Sequence, residues 1–378
     1  MNKLTTLTFP PLAHIGDSWE RISTPALVLE LDAFDANVQA VAALAQENGV
    51  ALRPHAKAHK SSTIARHQLA AGAVGICCQK LTEVYPFVRQ GIRNVHVSNE
   101  FVGTDKVAMA VDLAQHISLS ICVDHVQQVH AVGTAADAAG VSITVLPEVD
   151  IGQGRCGVTS ETQLAALADA IAAHPGLRFG GLQAYHGGIQ HMAPWEERRE
   201  AAARSADKAA TYVRFLEARG LPCPVITGGG TGTVEFDAKS GVFTELQPGS
   251  YIFLDGHYGS SEWQGTFRPR HGLFLATTIM STAKQGMAVC DVGLKGVAVD
   301  SGLPRVYGEA ADTLRYTAAN DEHGILHIDG TQNDRLGERL LLVPGHCDPT
   351  CNLHDQFVCV RNGVVEALWP IDARGLSQ

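Results

Sequence analysis

The fold is decided by the stretch "ALVLELDAFDANVQAVAALAQENGVALRPHAK", residues 26–57. It begins with the apolar run "ALVLEL", continues through a longer segment of helical periodicity from Asp32 to Gly49, and ends in a second strand-like run, "ALRPHAK". Asp32 is a candidate N-terminal helix cap, and Gly49 is typical of the residue that follows a helix. A strand, a helix and a strand in this order predict parallel strands joined by a helical crossover.

The alternation of apolar runs and helical segments continues to about residue 262. The further candidate strands span residues 74–78, 94–98, 119–123, 143–149, 179–186, 224–229 and 243–247. Eight such units close a (β/α)8 barrel, and a doubly wound open sheet is the alternative. No GxGxxG sequence follows the first strand, which disfavours a dinucleotide-binding fold.

The pattern of predicted elements changes after about residue 263. Runs such as "GLFLATTIMSTA" and "QFVCVRNGVVEALWPI" read as strands separated by tight turns, with little helical pattern between them. We therefore predict an α/β protein with a (β/α)8 barrel over residues 24–262 and an all-β domain over residues 263–378. Residues 1–23 are expected to pack on the β domain.

Composition narrows the functional class. The 378 residues are 45% hydrophobic and 18% charged, and the net charge of -10 comes without acidic or basic blocks. This disfavours nucleic acid and anionic membranes as partners and favours a small-molecule enzyme or binder. Residues 1–23 lack the apolar core of a secretion signal and no apolar run is long enough for a membrane span, so we expect a cytoplasmic protein. The nine cysteines form no CxxC motif and are expected to be reduced core residues.

The segment "RPHAKAHK", residues 53–60, is the first candidate for chemistry. On a strand, His55, Lys57 and His59 project to one face, and in a barrel that face leads to the mouth where active sites form. Burial and neighbouring imidazoles would lower the pKa of the lysine and favour the neutral amine that forms a Schiff base. A solvated basic strand end is the competing interpretation, and these residues alone do not decide between the two.

Two glycine-rich turns follow candidate strands near the same predicted barrel end. They are "TGGGTGT" at residues 227–233 and "QPGSY" at residues 247–251. Converging backbone N–H groups and hydroxyls in such turns can bind a phosphate, although plain tight turns have similar sequences. Two anion-type turns together with a lysine at a strand end are what a pyridoxal phosphate site requires.

Two further loops carry candidate cofactor contacts. "EVDIGQGRCG", residues 148–157, presents Arg155, which could bond a phenolate oxygen or lie on the surface. "QAYHGGIQH", residues 183–191, supplies Tyr185 as a packing ring, with His186 and His191 as acid–base or structural histidines.

The β domain contains "VPGHCDPTCNLHD", residues 343–355. On an extended chain His346 and Asp348 face the same way and Cys347 faces the other. An imidazole and a carboxylate, completed by water, suit Mn²⁺ or Mg²⁺ better than structural Zn²⁺. A polar turn is the alternative.

With these motifs in chain order, the sequence resembles the D-threonine aldolases, pyridoxal phosphate enzymes of the alanine racemase fold whose relatives include the D-serine dehydratases. The resemblance runs from "TPALVLELDAF" to "VVEALWPIDARG" and includes "GICCQK" and "NDEHG". It implies a cofactor-bearing lysine at Lys57, with Lys60 the poorer candidate. The remaining positions that it implies are, for the cofactor, Gln79, Arg155, Tyr185, Gly229, Gly230, Thr231, Gly249 and Ser250, and, for the metal, His346 and Asp348.

The resemblance also implies a reaction. It is the metal-assisted cleavage of D-threonine and other D-β-hydroxy-α-amino acids to glycine and an aldehyde. We predict His191 as the base, acting directly or through a metal-bound water. The histidine–x–aspartate pair is as in the aldolases, whereas the dehydratase-like relatives have a cysteine in place of the aspartate, which selects zinc. A D-serine or 3-hydroxy-D-aspartate dehydratase, a racemase and a non-catalytic cofactor carrier are the alternatives. A homodimer is implied by the resemblance alone.

Overall fold

The computed structural model describes residues 10–330 and 334–378. Its strands are β1 (Ala26–Glu30), β2 (Ala51–Leu52), β3 (Ile76–Cys78), β4 (Asn94–Val97), β5 (Ser118–Val123), β6 (Ile143–Pro147), β7 (Leu177–Phe179), β8 (Gly181–Ala184), β9 (Val225–Gly228), β10 (Glu245–Leu246), β11 (Leu273–Lys284), β12 (Met287–Cys290), β13 (Arg305–Val306), β14 (Leu314–Ala319), β15 (Gly324–Ile328), β16 (Arg339–Val343), β17 (Gln356–Arg361) and β18 (Val364–Pro370). Its helices are α1 (Leu31–Glu47), α2 (Ser62–Ala70), α3 (Leu81–Arg89), α4 (Thr104–Ala114), α5 (Val126–Ala139), α6 (Glu161–Ala172), α7 (Trp195–Ala218), α8 (Val234–Ala238) and α9 (Cys347–Cys351).

Strands β2 to β10 form the predicted parallel barrel. Strands β3 to β7 pair in chain order, and β2, β10, β9 and β8 form a second parallel group. Bridges from His55 to Cys77 and from Glu148 to Gln183 join the two groups and close the barrel. Gly180 separates β7 from β8, so the run predicted as one strand at residues 179–186 is two short pieces. The α/β class with a barrel followed by a mainly β region is thereby confirmed.

The first predicted barrel strand lies elsewhere. Strand β1 pairs antiparallel with β11 and parallel with β17, in the sheet of the β domain. Its apolar residues are buried between two partner strands, so their pattern is that of a central strand in either sheet. The predicted cap at Asp32 is also wrong, because the Glu30 carboxylate accepts hydrogen bonds from the backbone N–H groups of Asp32 and Ala33 at 3.3 and 2.7 Å.

The β domain is a mostly antiparallel sheet with the strand path β14-β15-β12-β11-β1-β17-β18, extended by β16 and β13. The predicted turn between β17 and β18 is present, with left-handed backbone at Asn362 and Gly363. The N-terminal segment pairs with this hairpin, since the N–H of Trp19 donates to the Gly363 carbonyl at 3.0 Å. Residues 1–9 of the segment predicted to pack here lie outside the described residues.

The two regions meet at the barrel mouth. The short helix α9 of the β domain packs against the 3₁₀ turn Ala56–Ala58 that follows β2. The buried carboxylate of Asp255 accepts hydrogen bonds from the backbone N–H groups of Cys347 and Tyr258 at 2.8 and 2.9 Å. The β domain therefore delivers the start of α9 to the carboxyl ends of the barrel strands. Within residues 10–330 and 334–378 no helix has the length and apolarity that crossing a membrane requires.

Candidate active site

A cavity of about 200 Å³ opens at the carboxyl ends of the barrel strands. The residues predicted from the sequence converge there from both regions of the chain. They are Lys57, Gln79, Arg155, Tyr185, His191, Gly229, Gly230, Thr231, Gly249, Ser250, His346 and Asp348. The cavity is where active sites of barrel enzymes form.

The local structure around Lys57 differs from the predicted strand. Strand β2 ends at Leu52, and the chain turns into a 3₁₀ helix in which Lys57 is the middle residue. His55 caps this turn by accepting the N–H of Lys57 at 3.4 Å. His55 and Lys57 line the cavity, but the fully buried His59 is not among the described lining residues. The alternation that was expected to bring all three side chains to one face is therefore wrong.

The electrostatics of Lys57 also differ from the expectation. Burial lowers the pKa of the amine, but the Asp348 carboxylate and the Tyr185 phenol raise it by more, so the net pKa is raised above its ordinary value. The Lys57 Nζ atom lies 3.9 Å from Asp348 Oδ2. Sequence reasoning placed imidazoles beside the lysine and missed a carboxylate from the other domain.

Lys60 is held away from this chemistry. Its ammonium pairs with the Glu83 carboxylate at 3.2 Å and donates to the Leu376 carbonyl at 3.3 Å. Both partners are buried, so this pair fixes Lys60 at the side of the barrel. Of the two lysines in the opening stretch, Lys57 alone borders the 200 Å³ cavity among the described residues.

The glycine-rich turn after β9 forms a close-fitting cradle. A Cβ atom on Gly232 would lie 1.9 Å from the Gln190 carbonyl oxygen, and one on Gly230 would lie 2.5 Å from Gln190 Oε1. Thr231 lines the cavity beside them, and its buried hydroxyl has no hydrogen-bond partner within the described residues. A buried hydroxyl of this kind costs free energy unless a ligand satisfies it. This turn fits an oxyanion such as a phosphate.

The second predicted turn follows β10, the strand that pairs with β9. Gly249 packs close to His55, because a Cβ atom on Gly249 would lie only 3.2 Å from the His55 carbonyl oxygen. The Ser250 hydroxyl donates to Asp348 Oδ1 at 3.2 Å. Ser250 therefore connects the turn that could hold a phosphate to the carboxylate that could hold a metal ion.

Arg155 and Tyr185 form one wall of the cavity. The Arg155 guanidinium carbon lies 5.6 Å from the centre of the Tyr185 ring, a cation–π contact. Arg155 also approaches Glu148 at 4.0 Å. Burial and the neighbouring Glu100 carboxylate raise the pKa of Glu148 well above its ordinary value, so Glu148 is a weak competitor for the arginine charge. The arginine charge therefore remains available for an anionic ligand in the cavity.

His191 is held flat against a second histidine. Its ring stacks on that of His257 at 3.6 Å with an interplanar angle of 3°, and it contacts Tyr258 at 4.1 Å. Burial, with the neighbouring imidazoles of His257 and His346, lowers the pKa of His191 to about 4. His191 is thus neutral at physiological pH and can accept a proton. His186 is not among the described residues that line this cavity.

His346 and Asp348 meet at the cavity through a geometry that differs from the predicted extended chain. His346 caps helix α9, and Asp348 lies in its first turn. Asp300 lies 2.7 Å from His346 Nδ1, which leaves Nε2 as the nitrogen for a metal ion. The buried thiol of Cys347 donates to Asp348 Oδ1 at 3.3 Å, outside the described cavity lining.

At this site the described residues include no set of three potential metal ligands within 4.8 Å of one another. Among the described residues, sets of three potential ligand atoms within 4.8 Å occur instead at Glu100, Asp124 and Cys156 and at Glu100, Cys122 and Glu148. A histidine and a carboxylate with water can hold a hard or borderline cation in open coordination. The pair backed by Asp300 therefore fits a metal that exchanges water for substrate.

Comparisons with known proteins cover both regions of the chain. A profile of the alanine racemase N-terminal domain matches residues 29–256, and one of the putative serine dehydratase domain matches residues 272–360. A D-threonine aldolase from Arthrobacter sp is 50% identical over 98% of this chain and 98% of that protein. The chain belongs to the D-threonine aldolase family. It is accordingly a lyase of the aldolase type.

Other members of the D-threonine aldolase family and its relatives match along the whole chain. The crystal structure of D-threonine aldolase from Filomicrobium marinum has a TM-score of 0.94, 42% identity, and covers 97% of this chain and 100% of that chain. A 3-hydroxy-D-aspartate aldolase from Paracoccus denitrificans (strain Pd 1222) is 41% identical over 97% of this chain and 95% of that protein. Pyridoxal phosphate fits an aldolase of this family.

Sequence reasoning missed several polar residues of the cavity in this family member. Gln183 and Gln247 line its floor, and Gln247 Nε2 donates to Gln183 Oε1 at 2.9 Å. Ser98 and Tyr258 also line the cavity, and the Ser98 hydroxyl lies 3.2 Å from His55 Nε2. The available signal was position, since Ser98, Gln183 and Gln247 stand at or near the carboxyl ends of predicted strands.

Proposed function

We propose that this lyase cleaves D-threonine and other D-β-hydroxy-α-amino acids to glycine and an aldehyde, using pyridoxal phosphate on Lys57 and a divalent metal at His346 and Asp348. The observation that carries the proposal is one cavity that joins Lys57, the glycine-rich turn with the buried Thr231 hydroxyl, and the His346–Asp348 pair. The similarity to proteins named D-threonine aldolase supports the same reaction.

The cofactor would be held by residues on three sides of the cavity. We assign the phosphate to Gly229, Gly230 and Thr231 with Gly249 and Ser250, because the Thr231 hydroxyl is buried without a partner within the described residues. Arg155 and Tyr185 would contact the oxygen and the face of the cofactor ring, and Gln79, which lies 2.9 Å from His55 Nε2, lines the same cavity. When bound, pyridoxal phosphate supplies an acceptor for the electrons of the breaking Cα–Cβ bond.

The proton chemistry is assigned to His191. Cleavage requires a base for the substrate β-hydroxyl, and His191 is neutral with a buried, unpartnered Nδ1 within the described residues. The flat stack on His257 keeps the ring in a fixed plane. A metal at His346 and Asp348 would lower the pKa of the hydroxyl that His191 deprotonates.

The finer properties are proposed on the same basis. Mn²⁺ is the proposed metal, with Mg²⁺ the alternative, because an imidazole, a carboxylate and water form a mixed nitrogen and oxygen ligand set. The homodimer and the cytoplasmic location stay predictions from the sequence.

Thr231→Val tests the phosphate cradle, because it is expected to stabilise the cofactor-free protein and to weaken the binding of pyridoxal phosphate. Without cofactor, the free energy of unfolding is expected to rise by about 1 kcal/mol, because a buried unsatisfied hydroxyl is removed. The dissociation constant for pyridoxal phosphate is expected to increase about tenfold or more, because a bond to a charged phosphate is lost. Denaturant titration and cofactor fluorescence measure the two effects. An unchanged dissociation constant would remove Thr231 from the cradle.

His191→Ala is expected to lower kcat about 10²–10⁴-fold, the usual effect of losing a general base. His186→Ala is the matched control, since His186 belongs to the same motif and is not among the described lining residues. We expect its kcat to stay within about threefold of that of the unaltered enzyme. Equal losses in both variants would contradict the assignment of the base to His191.

The reaction itself is tested by product analysis. The enzyme loaded with pyridoxal phosphate is incubated with D- or L-threonine, with and without Mn²⁺, and acetaldehyde and 2-oxobutyrate are scored. We expect acetaldehyde from D-threonine only, and only with metal. 2-Oxobutyrate would identify a dehydratase instead, racemised threonine formed without metal would identify a racemase, and no conversion would leave a cofactor carrier.

A further inference from the structure

Two histidines and an aspartate outside the described cavity lining form a hydrogen-bonded chain. His130 and Asp137 lie on helix α5, and His174 lies in the loop that enters strand β7. The His130 Nδ1 and His174 Nε2 atoms are 3.1 Å apart, and His174 Nδ1 is 2.8 Å from Asp137 Oδ2. Loops that enter barrel strands lie at the face opposite the active-site mouth, so this cluster is separate from the proposed catalytic site.

The central imidazole is fixed in place. The His174 ring packs on Gly133, where a Cβ atom would lie 2.3 Å from the ring, so only glycine leaves room for it. Asp137 is fixed as well, because its other oxygen accepts the Gly176 N–H at 2.6 Å. The His174 and Asp137 side chains are 14% and 28% exposed, and His130 is exposed at the outer end of the chain.

The hydrogen bonds decide the tautomer of His174. The Asp137 carboxylate is an acceptor, so His174 donates from Nδ1 and carries a lone pair on Nε2. That lone pair lies 3.1 Å from His130 Nδ1. A histidine that donates one N–H to a carboxylate while its other nitrogen keeps a lone pair is the usual arrangement of a metal ligand in proteins.

The spacing of the two nitrogens also fits a shared ion. A metal about 2.1 Å from both His130 Nδ1 and His174 Nε2 would hold them at an angle of about 95°, between octahedral and tetrahedral values. A plain N–H···N hydrogen bond also explains the distance between the two nitrogens, but it requires the proton to be on His130 Nδ1. The exposed His130 can move that proton to its other nitrogen, so the pair can exchange the hydrogen bond for a metal ion.

We propose that His130 and His174 bind a borderline divalent transition metal ion such as Zn²⁺, with Asp137 orienting His174. Imidazole nitrogen is a preferred ligand for such ions, and water fills the remaining positions. This site is independent of the proposed function, because it shares no residue with the His346–Asp348 pair.

The test is a Zn²⁺ titration by calorimetry of the holoenzyme and three variants. We expect His130→Ala to bind one ion fewer than the unaltered enzyme. Asp137→Asn should weaken the binding of that ion about 10–100-fold. The amide oxygen can still accept the Gly176 N–H, but the amide NH₂ group then faces His174 Nδ1 and favours the tautomer that cannot bind the metal through Nε2. His116→Ala is the matched control, an exposed histidine that should leave both the number of ions and their affinity unchanged.

The failures of the two proposals are distinguishable. If His346 and Asp348 bind no metal, the number of Zn²⁺ ions bound per chain is lower by one in the unaltered enzyme and in every variant. The difference between the unaltered enzyme and His130→Ala then persists. Equal Zn²⁺ stoichiometry and affinity in the unaltered enzyme and His130→Ala would overturn the inference. Cleavage of D-threonine is expected to stay within about twofold of the unaltered rate in His130→Ala, since surface substitutions are usually near neutral.

Discussion

Lys57→Ala is expected to abolish the absorbance band of lysine-bound pyridoxal phosphate and to lower kcat by at least about 10³-fold. The reason is chemical, because alanine offers no amine to carry the cofactor, and geometric, because Lys57 lies at the mouth of the barrel beside Asp348. Absorbance spectra of the purified variant with added cofactor, and acetaldehyde formation from D-threonine, measure the two effects.

Lys60→Ala is the matched control for this variant. Lys60 lies three residues further along, and its ammonium is engaged with Glu83 at 3.2 Å. We expect this variant to lose stability, because a buried carboxylate is left without its partner, by about 3–5 kcal/mol. Where it is folded, it should keep the absorbance band. A band that survives in Lys57→Ala and disappears in folded Lys60→Ala would reverse the assignment.

Asp348→Ala is expected to remove metal activation, lowering the metal-dependent kcat by about 100-fold or more, while the cofactor band is retained. Asp348 supplies the carboxylate of a two-residue pair, so its loss leaves His346 as the sole ligand of the pair. Activity titrations with Mn²⁺ on protein stripped by a chelator measure this. Asp355→Ala is the matched control, because that nearby carboxylate is 88% exposed and pairs with Arg374.

Asp348→Ala and Asp355→Ala are expected to differ in their response to Mn²⁺. Asp355→Ala should keep the full response to Mn²⁺, with activity within about twofold of the unaltered enzyme. Full activity of the unaltered enzyme after exhaustive chelation would contradict a role for the metal, as would an undiminished Mn²⁺ response in Asp348→Ala.

The fold could be predicted from the sequence because its signals are local. Strands such as β5 and β6 are largely buried runs between helices, and their order along the chain determines parallel pairing. Strand β1 could not be assigned in this way. Its apolar pattern fits any central strand, and its partners β11 and β17 lie more than two hundred residues away along the chain. Pairing at that distance is decided by tertiary packing.

The candidate site was predictable to the level of residue identity but not of geometry. Lys57 was expected on a strand and lies on a 3₁₀ turn, and Asp348 was expected on extended chain and lies in a helix. Their ion pair at 3.9 Å joins two domains, so no local pattern could predict that the pKa of Lys57 is raised. The stack of His191 on His257 is likewise a contact between distant loops.

The proposed chemistry depends most directly on the atom that carries the cofactor. The holoenzyme is reduced with borohydride, which makes the bond between cofactor and lysine permanent, and the digested protein is analysed by mass spectrometry. We predict one pyridoxyl group, attached to Lys57 in the peptide that contains "RPHAKAHK". A pyridoxyl group on Lys60 or on any other lysine, with Lys57 unmodified, would contradict the account.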